Sequence, residues 1–326
     1  MMKMSYKNQA IVALVLLVTG CGTPRPIVQK PQTPTPVQSS GIGNYSAPFL
    51  TGEYADSAEL QSFIQYMVEQ HGFSQNYLNG LFSNAVFLQS VVRLEKPTNI
   101  HNVSLRPSNG SWSRYRQQFL DEAHINKGVE FWRNNAAALQ RASATYGVDP
   151  EYIVAIIGVE TYFGRNVGKT RVIDALTTLA FDTERRAKFF TSELENFLLM
   201  SREEGYDPRE VVGSWAGAMG LGQFMPSSFR KLAVDFNNDG KRDLWHPEDA
   251  IGSVANYFSK HGWQANSPVA ELTNQADGFS TIELRTYSGS EFWEVYPNFK
   301  VIKKYNSSDK YAMAVHQLAQ ACKQRY

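Results

Sequence analysis

The sequence has few cysteines and almost no net charge. Its 326 residues include two cysteines, Cys21 and Cys322, and the formal net charge is +1. So small a net charge gives no reason to expect a nucleic-acid surface or a strongly electrostatic partner. There is also no thiol or histidine cluster of the kind that holds a catalytic zinc ion.

An apolar run of membrane-spanning length is also missing at the amino terminus. The run IVALVLLV at residues 11–18 comes after the basic start MMKMSYK and is too short for a comfortable span. It has the length of a signal-peptide core. The next residues, Val18-Thr19-Gly20-Cys21, resemble a bacterial lipobox, in which the cysteine becomes the lipidated first residue of the mature protein.

Residues 1–21 are therefore predicted to be a lipoprotein signal peptide that ends in the lipidation site Cys21. An ordinary signal peptide with a chance cysteine is the alternative. Gly22, rather than Asp, follows the cysteine, and by resemblance to bacterial lipoproteins this implies sorting to the outer membrane, with the protein facing the periplasm. Cys322 then remains alone, so we expect no intramolecular disulfide and a packing role for this residue.

Proline and small polar residues dominate residues 22–50. Such a composition cannot bury a core and favours an extended chain. At roughly 3 Å per residue, this segment would reach several tens of ångströms from a membrane anchor. We therefore predict a flexible tether over residues 22–50.

The rest of the chain is predicted to be mainly α, in the α+β class. Apolar residues at helical spacing run through residues 51–146. His71-Gly72-Phe73 separates the first two predicted helices, and Gly147 ends the last predicted helix of this region. Weak alternation in IELRTYS and EFWEVY predicts a small β subdomain at residues 264–299. A core at residues 147–263 lies between them, and residues 300–326 return to the helical type and join the first region.

The stretch Asp149–Gly168 carries the first candidate catalytic group. Asp149 is suited to cap a helix and Pro150 to begin it. Glu160 shares the helix face of the apolar residues Ile153, Ile156 and Ile157. A carboxylate on such a face is desolvated, which raises its pKa, as a glycosidase-type general acid requires. The alternative is a core-edge glutamate paired with Arg165 or Lys169.

Two further stretches contain candidate ligand-binding residues. The glycine-rich sequence GSWAGAMGLGQFMPSS at residues 213–228 allows close backbone approach, and Ser214 and Gln223 are its polar members. It lacks the Lys-Ser/Thr ending of a phosphate-binding loop. Arg185 and Arg186 could anchor a substrate carboxylate, with a solvated helix end as the alternative.

The sequence DFNNDGKRDLWHPED at residues 235–249 predicts a structural metal site. Asp235, Asn237 and Asp239 occupy positions 1, 3 and 5 of an EF-hand-like loop, followed by Gly240 and the Lys241 carbonyl. Position 12 is His246 instead of Glu, and Asp249 could supply the closing carboxylate. We predict a structural Ca²⁺ (or Na⁺), with a plain Asx-rich turn as the alternative.

Four motifs together resemble the membrane-bound lytic murein transglycosylase B family. They are GVETYFGRNVGKTRVIDALTTLAFD, GSWAGAMGLGQFMPSS, DFNNDGKRDLWHPEDAIGSVANYF and YNSSDKYAMAVHQLAQA. The similarity runs from about Trp112 to Gln320. It implies a lysozyme-like core, Glu160 as the single catalytic acid/base, and Asp235, Asn237, Asp239 and Asp249 as metal ligands. The positions implied to bind the glycan are Ser214, Gln223, Tyr257, Tyr305 and Tyr311, and Phe224 and Met219 are expected to line the same groove.

The resemblance also implies cleavage of the β-1,4 bond between N-acetylmuramic acid and N-acetylglucosamine in peptidoglycan, without a catalytic cofactor. Most glycosidases use two carboxylates. We find one well-placed glutamate here, and leave Asp174 and Asp182 open as a second. A lone acid suffices if the sugar's own C6 hydroxyl closes on C1 to give a 1,6-anhydro product. The alternatives are a muramidase hydrolase and a glycan-binding scaffold that does not cut. We expect a monomer that contacts glycan strands, the membrane through its anchor and, as a possibility, wall-synthesis enzymes.

Overall fold

The structure is a computed structural model that describes residues 43–96, 109–274 and 280–326. The predicted lipidation site Cys21 and most of the predicted tether lie outside these residues. No helix in the described ranges is both long enough and apolar enough to cross a membrane.

Helices dominate the described residues, as predicted. In the first part of the chain they are α1 (Ala58–His71), α2 (Gln75–Phe82), α3 (Gln89–Glu95), α4 (Ser111–Arg116), α5 (Glu122–Asn134) and α6 (Ala136–Tyr146). Gly72 and Gly147 adopt left-handed conformations directly after α1 and α6, which confirms both predicted helix ends. A further break after Phe82 makes three α-helices, instead of two, within the described residues 43–96.

The middle of the chain surrounds one central helix, α7 (Pro150–Thr161). It is followed by β1 (Thr170–Arg171), α8 (Val172–Phe181), α9 (Ala187–Glu204), β2 (Val212–Gly213), α10 (Pro226–Leu232) and α11 (Pro247–Lys260). Residues 151–158 of α7 are all buried, because α5, α6, α11 and α13 pack around the helix. A helix that is apolar on all sides is expected in such a central position.

The strands predicted within residues 264–299 are present as a three-stranded antiparallel sheet. Its strands are β3 (Ala270–Thr273), β4 (Thr281–Thr286) and β5 (Gly289–Val295), in the spatial order β3-β5-β4. The chain then returns through α12 (Pro297–Tyr305) to α13 (Asp309–Arg325), which packs against α4, α5, α7 and α12. Through α13, the end of the chain contacts both the early helices and the central helix.

One continuous hydrophobic core connects these regions. It includes Tyr54 from the first predicted region, Ile153 from the second, and Leu284 from the small sheet. The boundaries predicted at residues 146/147 and 263/264 therefore do not separate independent cores, and remain predictions. Cys322 is fully buried in this core, and burial raises the pKa of its thiol to about 12, as expected for an inert packing residue.

The end of the predicted tether belongs to the folded part. Tyr45 donates a hydrogen bond to Asp207 at 2.6 Å, and the Ala47 amide donates to the Asn76 carbonyl at 2.9 Å. The Asn79 side chain donates to the Pro48 carbonyl at 3.2 Å. The prediction of a flexible tether is therefore wrong for residues 45–48, which find partners on α2 and at Asp207 in the segment after Glu204.

Candidate active site

The central helix α7 ends at the candidate acid. Pro150 occupies its first turn, as predicted, and Asp149 precedes it with extended backbone angles. The Asp149 carboxylate, however, does not cap the helix. It accepts hydrogen bonds from the Trp263 indole N–H at 2.9 Å and from the Asn266 amide at 3.3 Å. Asp149 therefore ties the start of α7 to the segment after α11.

Glu160 is half-buried in the last turn of α7, and its partner comes from the far end of the chain. The Tyr311 hydroxyl, at the start of α13, donates a hydrogen bond to Glu160 Oε1 at 2.5 Å. Burial raises the pKa of Glu160 from 4.5 to about 7, although the hydrogen bond from Tyr311 acts in the opposite direction. Below about pH 7, Glu160 is therefore protonated in at least half of the molecules.

No basic side chain among the described residues forms an ion pair with Glu160. Arg165 lies over the Tyr162 ring, with 5.3 Å from its guanidinium carbon to the ring centroid. The alternative of a glutamate paired with Arg165 or Lys169 is therefore wrong, and no cation among the described residues offsets the rise in pKa that burial causes.

The turn after Glu160 is conformationally strained. Tyr162 and Phe163 both have positive φ angles, 51° and 57°, which residues other than glycine rarely adopt. The Phe163 ring lies directly against Gly158, where an added Cβ would be 2.5 Å from the ring. Consecutive strained residues next to a buried acid are typical of a functional site.

The glycine-rich stretch is brought to this helix end by a short antiparallel pairing. In it, Thr170 of β1 lies opposite Gly213 of β2. Gln223 has a positive φ of 51°, and its side-chain N–H groups donate to the carbonyls of Val167 at 3.2 Å and Gly220 at 2.9 Å. Because both partners are carbonyls, the amide orientation is fixed, and no described residue donates to the Gln223 side-chain oxygen. That oxygen is free to accept a hydrogen bond from a ligand.

Ser214 is partly exposed and helps to shape the same loop. Its hydroxyl oxygen accepts a hydrogen bond from the Ala218 amide at 3.0 Å. The hydroxyl proton has no protein acceptor among the described residues, so it can be donated to a ligand.

Met219 and Phe224 do not line an open groove, contrary to expectation. Their exposed fractions are 0% and 2%, and their backbones pair across a tight turn at 2.9 and 3.0 Å. The Phe224 ring contacts the rings of Tyr257 and Tyr305, with centroid distances of 5.8 and 6.0 Å. Both side chains belong to the apolar core, and they support the loop by packing against it from the inside.

The three tyrosines predicted to bind substrate differ in the use of their hydroxyl groups. The Tyr257 hydroxyl donates to the Lys304 carbonyl at 2.7 Å, and the Tyr305 hydroxyl donates to the Gly222 carbonyl at 2.8 Å. Of the three hydroxyl groups, that of Tyr311 is the one hydrogen-bonded to Glu160. Burial and the charge of Glu160 raise the pKa values of both Tyr305 and Tyr311 well above 10, which places both phenols near the acid as neutral groups.

Tyr115 was missed as a site residue by sequence reasoning. It is half-buried on α4, and burial together with the Glu160 carboxylate raises its pKa. Its ring contacts Trp112 and Phe119, with centroid distances of 6.3 and 5.4 Å. The helical spacing of these aromatic residues indicates core equally well, so no local signal distinguishes the one that lies near the acid.

Arg185 and Arg186 are engaged by a protein carboxylate. Both bind Glu95 at the end of α3, through closest nitrogen–oxygen distances of 3.0 and 2.6 Å. Glu95 is only 2% exposed, and the arginines lower its pKa, chiefly through the hydrogen bond from Arg186. The structure therefore gives these arginines a structural partner, and neither is joined to the residues around Glu160.

The two aspartates left open as a second catalytic carboxylate also have structural partners. Asp174 binds the Arg171 side chain at 2.6 Å and the Val86 amide at 3.1 Å. Asp182 accepts a hydrogen bond from the Tyr54 hydroxyl at 2.8 Å. Among the described residues, no other carboxylate contributes to the pKa of Glu160. Glu160 therefore stands as a lone acid.

The aspartate-rich loop folds around its own side chains. Asp235 accepts hydrogen bonds from the amides of Asp239 and Gly240, at 3.1 and 2.9 Å. Gly240 has a φ of 91°, as expected for the sharp turn at position 6. The fully buried Asp249 accepts from the amides of Phe236, Asn237 and Asp243, at 2.8 to 3.1 Å. Asp249 thus closes the loop through backbone hydrogen bonds.

The donor chemistry of this loop fits a hard cation. Its candidate ligands are all oxygens: the side chains of Asp235, Asn237, Asp239 and Asp249, and the Lys241 carbonyl. Across residues 43–96, 109–274 and 280–326, however, no three Asp, Glu, His or Cys side chains converge on one point as ligands. An ion would therefore depend on the amide and main-chain oxygens as well as on carboxylates.

Comparison with known proteins bears on this site. The transglycosylase SLT domain family matches residues 55–285 and 271–320. The membrane-bound lytic murein transglycosylase B of Escherichia coli K12 is 42% identical over 95% of this chain and 96% of its own length.

Two solved structures are also similar. The Escherichia coli lytic transglycosylase SLT35 in complex with calcium has 44% identity and a TM-score of 0.80, over 85% of this chain and 96% of that one. SltB3 from Pseudomonas aeruginosa in complex with NAG-anhNAM-pentapeptide has 28% identity and a TM-score of 0.69, over 81% and 78%. The expected fold is thereby confirmed, and the chain belongs to the lytic transglycosylase family defined by the transglycosylase SLT domain.

Proposed function

We propose that this protein is a lytic transglycosylase that cleaves the β-1,4 bond between N-acetylmuramic acid and N-acetylglucosamine in peptidoglycan. The observation that carries the proposal is Glu160, a half-buried carboxyl whose pKa of about 7 leaves it able to donate a proton near neutral pH. Within residues 43–96, 109–274 and 280–326, no second carboxylate contributes to the pKa of Glu160, so none lies beside it to act as nucleophile or as base for a water. Family membership supports the same reaction class.

In the proposed reaction, neutral Glu160 donates its proton to the glycosidic oxygen as the C1–O bond breaks. The departing sugar leaves as an alcohol, and the muramic acid ring becomes cationic at C1. Its own N-acetyl group and the dipoles of the groove stabilise that charge. Ionised Glu160 then removes the proton from the C6 hydroxyl as O6 bonds to C1. The product is a 1,6-anhydro sugar, and no water is consumed.

Three polar side chains, those of Tyr311, Gln223 and Ser214, can assist this reaction through hydrogen bonds. The Tyr311 hydroxyl bonds to Glu160 and stabilises the carboxylate that forms after proton donation. The Gln223 side-chain oxygen can accept from a sugar amide, and the Ser214 hydroxyl can donate to the acetamide oxygen. Tyr257, Tyr305, Phe224 and Met219 support the walls of the groove through their packing.

The test is mass spectrometry of fragments released from purified peptidoglycan by the chain starting after Cys21. Fragments ending in 1,6-anhydro-muramic acid are expected, and the Glu160→Gln variant should release none. Fragments heavier by one water would make the enzyme a hydrolase. Binding without any fragments would favour a scaffold, and both results would contradict the proposal.

A structural Ca²⁺ in the loop at residues 235–249 is part of the proposal. A similar protein was solved in complex with calcium, and the loop of this chain offers the oxygen donors that calcium prefers. Calcium should raise the melting temperature relative to a chelator and leave turnover at saturating ion nearly unchanged, because the ion would bind the folded state. Sodium in the same titration tests the choice of ion. An identical melting temperature in calcium and in chelator would contradict the metal site.

Attachment to the outer membrane through a lipid on Cys21 is also proposed, with the catalytic part facing the periplasm. The Escherichia coli relative is named as membrane-bound, and the lipobox-like sequence at residues 18–21 supports the same location. Fractionation should find the full chain with membranes and a Cys21→Ala variant outside them. An unchanged membrane fraction would contradict the lipid anchor.

A further inference from the structure

We infer that Thr161 is a positioning residue, whose buried hydroxyl couples the helix end carrying Glu160 to the glycine-rich loop carrying Gln223. The inference rests on the proposed function, since it concerns the geometry of the proposed acid/base and its groove. Thr161 follows Glu160 directly and is 0% exposed. Its hydroxyl is therefore unavailable to solvent and serves the protein alone.

Three backbone groups share this hydroxyl. It lies 2.9 Å from the Leu221 carbonyl and 3.1 Å from the Ile157 carbonyl, and it accepts a hydrogen bond from the Gly164 amide at 3.0 Å. The contact with Ile157 is local to α7, whereas the contact with Leu221 spans 60 positions in the chain. One side chain thus fastens the strained turn after Glu160 and the separate loop to the same point.

The Leu221–Gln223 segment depends on such attachments. The Leu221 amide donates to the Leu244 carbonyl at 2.8 Å, and the Gly222 carbonyl accepts from Tyr305 at 2.8 Å. The Leu221 carbonyl is held by Thr161 from the side of the catalytic helix. Gln223 follows immediately with its positive φ, so the orientation of its side chain depends on how these two peptide groups are fixed.

The strained turn depends on the same hydroxyl. Tyr162 and Phe163 keep positive φ angles only if the surrounding contacts hold them there. The hydrogen bond from Gly164 to Thr161 closes this turn across the two strained residues. Without it, the turn can relax and move Glu160 relative to Tyr311 and to Gln223.

The experiment compares Thr161→Val with Thr161→Ser in the chain starting after Cys21. Valine keeps the branched shape but leaves the Leu221 carbonyl and the Gly164 amide without this partner. We expect kcat for release of anhydro fragments to fall by about tenfold to a hundredfold in Thr161→Val, because small displacements of a catalytic group have effects of this size. Thr161→Ser restores the hydroxyl and should stay within about threefold of the unmodified chain. If Thr161→Val does not fold, Thr161→Ala takes its place.

A pH profile separates positioning from simple loss of stability. If the turn relaxes and admits water, the pKa of Glu160 falls, so the alkaline fall in kcat/KM moves to lower pH in Thr161→Val. Thr178→Val is the matched control, because Thr178 on α8 is equally buried and its hydroxyl is bonded to the Tyr54 hydroxyl at 3.2 Å and the Leu88 amide at 3.1 Å, not to α7 or the glycine-rich loop. It should lower the melting temperature without moving the pH profile or kcat.

A folded Thr161→Val enzyme with unchanged kcat and an unchanged pH profile would overturn the inference. So would equal losses in Thr161→Val and Thr178→Val. Failure of the proposed function looks different, because the unmodified chain would then release no anhydro fragments at all.

Discussion

Glu160 and Glu95 are two glutamates at helix ends whose surroundings shift their pKa values in opposite directions. Glu95 exposes only 2% of its surface, yet its pKa is lowered because Arg185 and Arg186 bind it. Glu160 is half-buried, with a tyrosine hydroxyl as its hydrogen-bond partner, and its pKa rises to about 7. Burial alone does not determine the charge of a carboxyl group.

The two glutamates have different roles, because one stabilises the fold and the other is suited to catalysis. A carboxylate with two guanidinium partners is a fixed anion that links α3 to the segment between α8 and α9. A carboxyl without a cation can change its protonation near neutral pH, which is the requirement for acid/base catalysis. Substitutions at the two positions should therefore have opposite consequences.

The largest expected effect is the loss of activity in Glu160→Gln. Its kcat should fall by about a thousandfold or more, because general acid–base catalysis contributes on this scale, and the variant should be at least as stable as the unmodified chain. Glu95→Gln should instead lower the free energy of unfolding by about 1 to 3 kcal/mol and leave kcat per folded molecule unchanged. Fragment-release kinetics and thermal denaturation measure both. A fall in kcat for folded Glu95→Gln would remove the separation.

The pH dependence of stability should also differ between Glu160 and Glu95. The folded pKa of Glu160 is raised, so its contribution to stability is present below about pH 4.5 and is lost as the pH rises through about 7. Glu160→Gln should therefore gain up to roughly 3 kcal/mol over the unmodified chain between pH 5 and pH 8. The folded pKa of Glu95 is lowered, so its contribution is present above the unfolded pKa and is lost as the pH falls through the folded value.

Denaturant unfolding at several pH values measures these differences. For Glu95→Gln, the deficit against the unmodified chain should shrink in acid. Parallel curves for Glu160→Gln and the unmodified chain from pH 5 to pH 8 would contradict the raised pKa of Glu160.

The smallest expected effect is that of Tyr311→Phe. The Tyr311 hydroxyl donates to Glu160 and lowers its pKa, so its removal should raise that pKa further. The alkaline fall of kcat/KM should move to higher pH by about one unit, the size expected for one hydrogen bond to a charged group. Tyr257→Phe is the control, since its hydroxyl bonds to the Lys304 carbonyl instead. A shift to lower pH in Tyr311→Phe would mean that the hydroxyl does not stabilise the carboxylate.

Local sequence patterns predicted much of the fold. Glycines at positions 72 and 147 ended helices as expected, and Pro150 began the central helix. Alternation in residues 281–295 correctly indicated strands. These features depend on residues within a few positions of each other, so one sequence suffices to find them.

The candidate site was predicted only in part. The sequence indicated a desolvated Glu160, but its hydrogen-bond partner Tyr311 lies 151 positions away. Arg165 and Lys169 are close in sequence, so the sequence could not show that neither forms an ion pair with Glu160. Met219 and Phe224 were expected to line the groove, whereas the core buries them. The role of Tyr115 had no local signal.

Residue spacing along the chain was enough to predict the helical class, the position of the candidate acid and the aspartate-rich loop. Tertiary structure alone decided which ionisable groups have partners. It placed Glu95 against two arginines, 90 and 91 positions away, and left Glu160 with the hydroxyl of Tyr311. The physical reason is that a pKa depends on the charges and solvent around a group, and the packing of distant segments sets both.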